Sequence, residues 1–84
     1  MATVRVTVLT EVRTKRRHDD TVQFSCCGIN TDSMICRINA YDVDTIKNLQ
    51  PGQTVIVRGC RVFTRDELVY LQLDSATKVR YIFY

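Results

Sequence analysis

A chain of 84 residues, 45% hydrophobic and 25% charged, has the composition of one small folded domain and excludes an intrinsically disordered segment. No apolar run approaches the length of a membrane span, and no charged-then-apolar leader opens the chain, so a soluble intracellular protein is expected. The net charge of +3 is only mildly basic and does not by itself identify a polyanion binder, so the placement of the charges matters more than their sum.

The pattern along the chain is mostly strand. A first strand is expected near 3–13, where Val4, Val6 and Val8 share a face and β-branched residues dominate. Segment 13–20 reads as a charged loop. Arg13, Lys15, Arg16 and Arg17 set four cations in five residues, and Asp19 and Asp20 offset part of that field. Such a run fits either a solvated loop or one that contacts phosphates. A second strand near 21–30 alternates Val22, Phe24 and Cys26 against Gln23, Ser25 and Cys27, with Gly28 suggesting a bulge. "NTDS" at 30–33 is turn chemistry, since short polar side chains bond their own backbone. It leads into a third strand near 34–41.

That third strand carries Cys36, Ile38 and Ala40 on one face and Arg37, Asn39 and Tyr41 on the other. The second face is either an ordinary solvated surface or a binding groove built from a cation, an amide and a ring. Beyond it, Val43, Ile46 and Leu49 recur at three-residue steps and predict a short helix within 42–50, capped by Asp42 or Asp44 and ended by Pro51-Gly52. A fourth strand is expected near 53–63, where Gly59 marks a bend or a close backbone approach. "TRDE" at 64–67 is a polar turn, a fifth strand follows near 68–74, and "KVRYIFY" at 78–84 is a candidate sixth.

Five strands in so short a chain do not make a two-layer sandwich. A closed barrel removes their edges, and the helix between strands three and four can plug one end. The expected fold is therefore all-β: a small five-stranded Greek-key barrel of the OB type, forming one domain over 1–84. Val4, Val6, Val8, Phe24, Ile38, Ile46, Leu49 and either the 55/57 or the 56/58 phase of strand four should line its core.

At "CRINAYD", "PGQTVIVRG" and "ELVYLQLDSATKV" the sequence resembles the single-strand-binding OB domains of the replication protein A large subunit and its relatives, over roughly residues 3–79. Those domains carry a strand with a basic residue that ends in a small residue and an aromatic just before the helix. Here these are Arg37, Ala40 and Tyr41. The resemblance implies that Arg37 contacts the nucleic-acid backbone and that Tyr41 stacks on a base. The family's second stacking position lines up with Leu68, which is not aromatic, so either Tyr70 or Phe63 supplies that platform or none does. The chain also ends in "KVRYIFY" where trimer-forming members append a helix.

Physical chemistry supports the same assignment. A flexible polyanion with exposed base faces needs cations along its backbone and flat rings to stack on. Arg37 can pair a phosphate, Asn39 can donate to and accept from base edges, and Arg13, Lys15, Arg16 and Arg17 wall one side. Arg61 and Arg65 wall the other. Single-stranded DNA is the expected partner, with RNA as an alternative. A protein-assembly role is the alternative of a different class, with homo- or hetero-oligomer formation through Lys78 to Tyr84. Catalysis is not expected, because the lone His18 lies in the charged segment with no placed nucleophile. No cofactor is expected. Nor is a zinc site or a disulfide, since Cys26, Cys27, Cys36 and Cys60 lack paired ligand spacing and an intracellular compartment keeps thiols reduced.

Overall fold

The computed structural model describes residues 1–83. It holds seven strands: β1 (Ala2–Val8), β2 (Arg13–Arg16), β3 (Val22–Asn30), β4 (Ile35–Ala40), β5 (Thr54–Arg65), β6 (Leu68–Leu73) and β7 (Lys78–Ile82). Neighbours run β1-β3-β4-β6-β5, and β5 pairs back onto β1, which closes a five-strand barrel. The β4–β6 pairing is parallel and the others are antiparallel. β2 continues the line of β1 along β3, and β7 adds to the far edge of β5. The closed all-β barrel is consistent with the OB expectation. No helix among the described residues is long and apolar enough to cross a membrane.

The core follows from alternation. Val6, Val8, Cys26, Cys36, Ile38, Ala40, Val69, Leu71 and Leu73 are all buried, and strand β5 chooses the Val55/Val57 phase. Val4 and Phe24, expected in the core, are only partly buried and pack against its margin. Gly28 sits opposite Cys36 on the inner face. A Cβ there would lie 2.5 Å from Val6 Cγ2 and 2.9 Å from the Thr7 carbonyl oxygen, so the close approach of β1 requires glycine. Cys26 pairs with Ile38 and Cys36 with Gly28, so the two thiols are diagonal rather than directly opposed.

Two expectations need correction. Segment 13–16 is a strand, paired residue for residue with β3 from Ser25 to Val22. Every β2 residue is exposed, so no burial alternation marks it, and backbone pairing alone holds it in line. The first strand correspondingly breaks after Val8. The second correction is the expected helix. Its regular part is one 3-10 turn, Val43–Thr45, capped by Asp42, whose carboxylate accepts from the Asp44 amide at 3.0 Å. Ile46 and Leu49 follow it and are both buried in the core cluster, so the segment contributes two enclosed side chains rather than a helix face. Nine residues ending at a proline leave little room to propagate a helix once it is nucleated.

The turn at 30–34 behaves as expected. Asn30 Oδ1 accepts from the amides of Asp32 and Met34, each at 2.9 Å, and Ser33 takes a left-handed φ of 61°.

Candidate functional site

A single bulge decides which side chains of β5 face outward. Thr3 pairs with Arg58 but Ala2 pairs with Cys60, so Gly59 is the extra residue. Its φ of 80° is left-handed, which glycine adopts without a Cβ penalty. Before the bulge Val55 and Val57 point inward; after it Cys60 does. Arg61, Phe63 and Arg65 are thereby turned to the outside, on the same side as Tyr70 and Gln72, their ladder neighbours.

Register then assembles the outer face in rows. Cys27, Arg37, Tyr70 and Phe63 lie side by side across β3, β4, β6 and β5. The next row is Arg13, Ser25, Asn39, Gln72 and Arg61. Beyond it Lys15 pairs with Gln23, and Tyr41 follows the last paired residue of β4. Residues from five strands thus share one curved surface.

Phe63 and Tyr70 are stacked, with ring centroids 5.1 Å apart and planes 3° from parallel. That separation is close to the strand spacing, so the rings stand on edge, each facing along the sheet. Tyr70 has Arg37 as its cross-strand neighbour on the other side. Leu68, the non-aromatic position, lies one same-face step nearer the turn, paired with Arg65. Tyr41, half exposed, is met by Arg17, whose Nη1 donates to the Tyr41 hydroxyl oxygen at 2.8 Å.

Asn39 is in the outward phase yet only 7% exposed, with its Oδ1 buried and unpartnered.

A groove of about 920 Å³ opens beside these rows, lined by Tyr41, Phe63, Arg61, Gln72, Phe24 and the carboxylates of Asp42 and Asp74, among others. Both carboxylates are occupied by their own turns: Asp42 with the Asp44 amide and Asp74 with the Ala76 amide at 2.8 Å. Lys15, Arg16, Arg17, His18 and Gln23 line a second, smaller groove at the β2 end. Asp19 stays out of it. Thr21 donates to its carboxylate from both hydroxyl and amide, which holds that carboxyl below the usual range.

The charges are sorted by secondary structure. All nine carboxylates lie in turns and connections, whereas ten of the twelve cations lie in strands. The modest net charge therefore conceals strands that hold cations and no carboxylate, with β3 and β6 uncharged.

Every residue expected at the site is solvent-facing or groove-lining, apart from the buried Asn39. Arg13, Arg37, Asn39, Tyr41, Arg61, Phe63 and Tyr70 are brought together. Lys15, Arg16 and Arg17 form one flank, and Arg65 lies further out toward the turn. Sequence reading missed Gln23, Ser25, Cys27 and Gln72 on this face, because only cross-strand register places them there.

The chain superimposes on a murine DNA-binding protein solved bound to double-stranded DNA, with a TM-score of 0.72 and 13% identity. The match covers 100% of this chain and 42% of that one, so this chain spans less than half the length of that protein. At this identity the likeness is one of fold. No protein family and no curated protein matches the sequence.

Proposed function

We propose that the chain binds nucleic acid on the outer face of β3, β4, β6 and the second half of β5, and that it takes single strands there with little sequence preference. The observation that carries this reading is the Arg37–Tyr70–Phe63 row: a cation beside a two-ring stack, on a wall whose strands hold no carboxylate. Phe63 retains a face for a further ring, so an unstacked base extends the stack. Tyr41 offers a second platform across the groove. Arg37, Arg61 and Arg13 then follow the phosphates. The fold likeness to a DNA-binding protein supports the nucleic-acid class, and the resemblance of "CRINAYD" to replication protein A domains supports the single-strand preference.

Titration of labelled oligo-dT at two salt concentrations tests it. Binding that weakens with salt, and that falls on Phe63→Ala by about 1–3 kcal/mol, is the expected outcome. Salt-independent or absent binding refutes it.

A second reading has one observation in its favour. The outer edge of β7 carries no strand partner among the described residues, and Phe83 just beyond it is 86% exposed. A partner strand added to that edge makes the chain an assembly subunit. Tyr84, the last residue of that expected contact, lies outside the described residues. Light scattering that shows a stable oligomer with no oligo-dT binding favours this reading.

A further inference from the structure

Next to the face described above, across β5, the barrel wall has a second cationic face. On the outside of β1, β5 and β7 the ladder sets Thr3, Arg58 and Lys78 in one row and Arg5, Ile56 and Arg80 in the next. Arg58, Lys78 and Arg80 are exposed, and they border a shallow groove of about 410 Å³ together with Thr3, Ile56 and Val79. No carboxylate lies on these strands. Asp44, which shares a neighbouring groove with Lys78, is held by Lys47 at 3.0 Å.

The two faces differ in one respect that selects their ligands. The first carries Tyr41, Phe63 and Tyr70, rings that substitute for lost base stacking. Among the described residues the second carries no ring in its rows: the outward positions are cations, Thr3, Thr7, Thr54, Ile56 and Ile82, while Tyr81 of β7 is turned to the core side. Cations without rings suit a polyanion whose bases are already stacked and paired, because such a ligand offers only its phosphates. The faces meet along β5, where Arg58 and Arg61 flank the Gly59 bulge, Arg58 laddered to Thr3 and Lys78 and Arg61 to Gln72.

We infer that Arg58, Lys78 and Arg80 form a separate site for the phosphate backbone of duplex nucleic acid, so that one barrel holds a duplex on one side and a single strand on the other. The preferred ligand of the intact chain is then a junction between the two, a preference that rests on the single-strand reading of the first face. Duplex binding itself does not depend on that reading.

The test compares three labelled probes by anisotropy: oligo-dT, a blunt duplex of mixed sequence, and that duplex with an oligo-dT overhang. The intact protein should bind the overhang probe at least about tenfold more tightly than oligo-dT, as two linked contacts add. The triple variant Arg58→Ser, Lys78→Ser, Arg80→Ser should bind oligo-dT within about twofold of the parent and lose that advantage. Its plot of log affinity against log salt for the duplex should flatten by about 2.7, or about 0.9 per contact. Arg58→Lys with Arg80→Lys keeps the charge and should keep duplex binding, which separates loss of a site from loss of fold. Tyr41→Ala should show the reverse pattern, weak on oligo-dT and unchanged on the blunt duplex. The inference is overturned if the triple variant binds the duplex like the parent, or if it loses oligo-dT and duplex equally. Binding to phosphatidylserine vesicles but not to duplex overturns it in favour of a membrane surface. If oligo-dT fails to bind while duplex binding still requires the three cations, the reading of the first face falls and this one stands.

Discussion

Arg17 donates from Nη1 to the Tyr41 hydroxyl oxygen at 2.8 Å, with its guanidinium carbon 5.8 Å from the ring centroid. The two come from the β2–β3 turn and the end of β4, 24 positions apart, and both are exposed. The contact ties the cationic flank to the candidate base platform, and it holds the Tyr41 ring in place without covering one face completely.

From this geometry Tyr41→Ala should weaken oligo-dT binding by about 1–3 kcal/mol and leave its salt slope unchanged, because a ring is lost and no cation is. Tyr41→Phe removes only the hydroxyl acceptor. An exposed hydrogen bond of this kind is worth about 0.5–1.5 kcal/mol at most, so affinity should stay within about tenfold of the parent. Arg17→Ala should flatten the single-strand salt slope by about 0.7 if Arg17 turns to a phosphate when the ligand arrives. Equal loss in Tyr41→Phe and Tyr41→Ala would show that the hydroxyl, not the ring, is what binds.

The Gly59 bulge yields a stability prediction in which sterics and strain separate. A Cβ at Gly59 meets nothing nearer than the Ala76 carbonyl oxygen at 4.0 Å, so space is available. The φ of 80° is the obstacle. Gly59→Ala should therefore cost about 1–2 kcal/mol from left-handed strain alone, and Gly59→Asn less, since asparagine tolerates this region better. Thermal melts of the two variants decide it. Equal stability of both with the parent would mean that the bulge relaxes, and oligo-dT binding should then fall as Arg61 and Phe63 lose their aim.

Ile46 is completely buried at the barrel end, and Leu49 nearly so. Ile46→Ala should cost about 2–4 kcal/mol, measured by urea unfolding, because the plug removes methyl groups that no neighbouring helix face replaces. A loss below about 1 kcal/mol would show that the end of the barrel is closed by something else.

The thiols make a prediction in pH. Burial pushes Cys26 up to about 11, and the same cause raises Cys36 and Cys60. The folded chain thus keeps these protons after the unfolded chain has lost them. The thiol contribution to stability should be flat below about pH 9 and should fall between there and about pH 11. Melting temperature followed across that range checks the sign; a Cys26→Ala variant should lose less over the same interval. In native buffer Cys27, half-buried on the outer face, should be the first thiol to react with a water-soluble reagent, with the other three following only on unfolding.

Much of the fold was legible because burial writes itself into period two. Val6, Val8, Ile38, Ala40, Leu71 and Leu73 announce their strands, and each needs only its own neighbours to do so. Asn30 and Gly59 announced a turn and an irregularity through local backbone chemistry. The four-cation run, the Arg37–Asn39–Tyr41 face and the aromatics Phe63 and Tyr70 were all visible as candidates. What stayed hidden was whatever depends on a partner strand. β2 has no buried residue, so only its pairing to β3 distinguishes it from a loop. The phase of β5 after Gly59 could not be read from alternation, because one inserted residue exchanges the faces of everything beyond it. Tertiary closure therefore decided that Phe63 stacks on Tyr70, that Asn39 is buried, and that Arg58 and Arg61, three residues apart, join different rows of the barrel wall. Sequence sets which faces can be wet; register, a property of strands far apart in the chain, sets which residues share one.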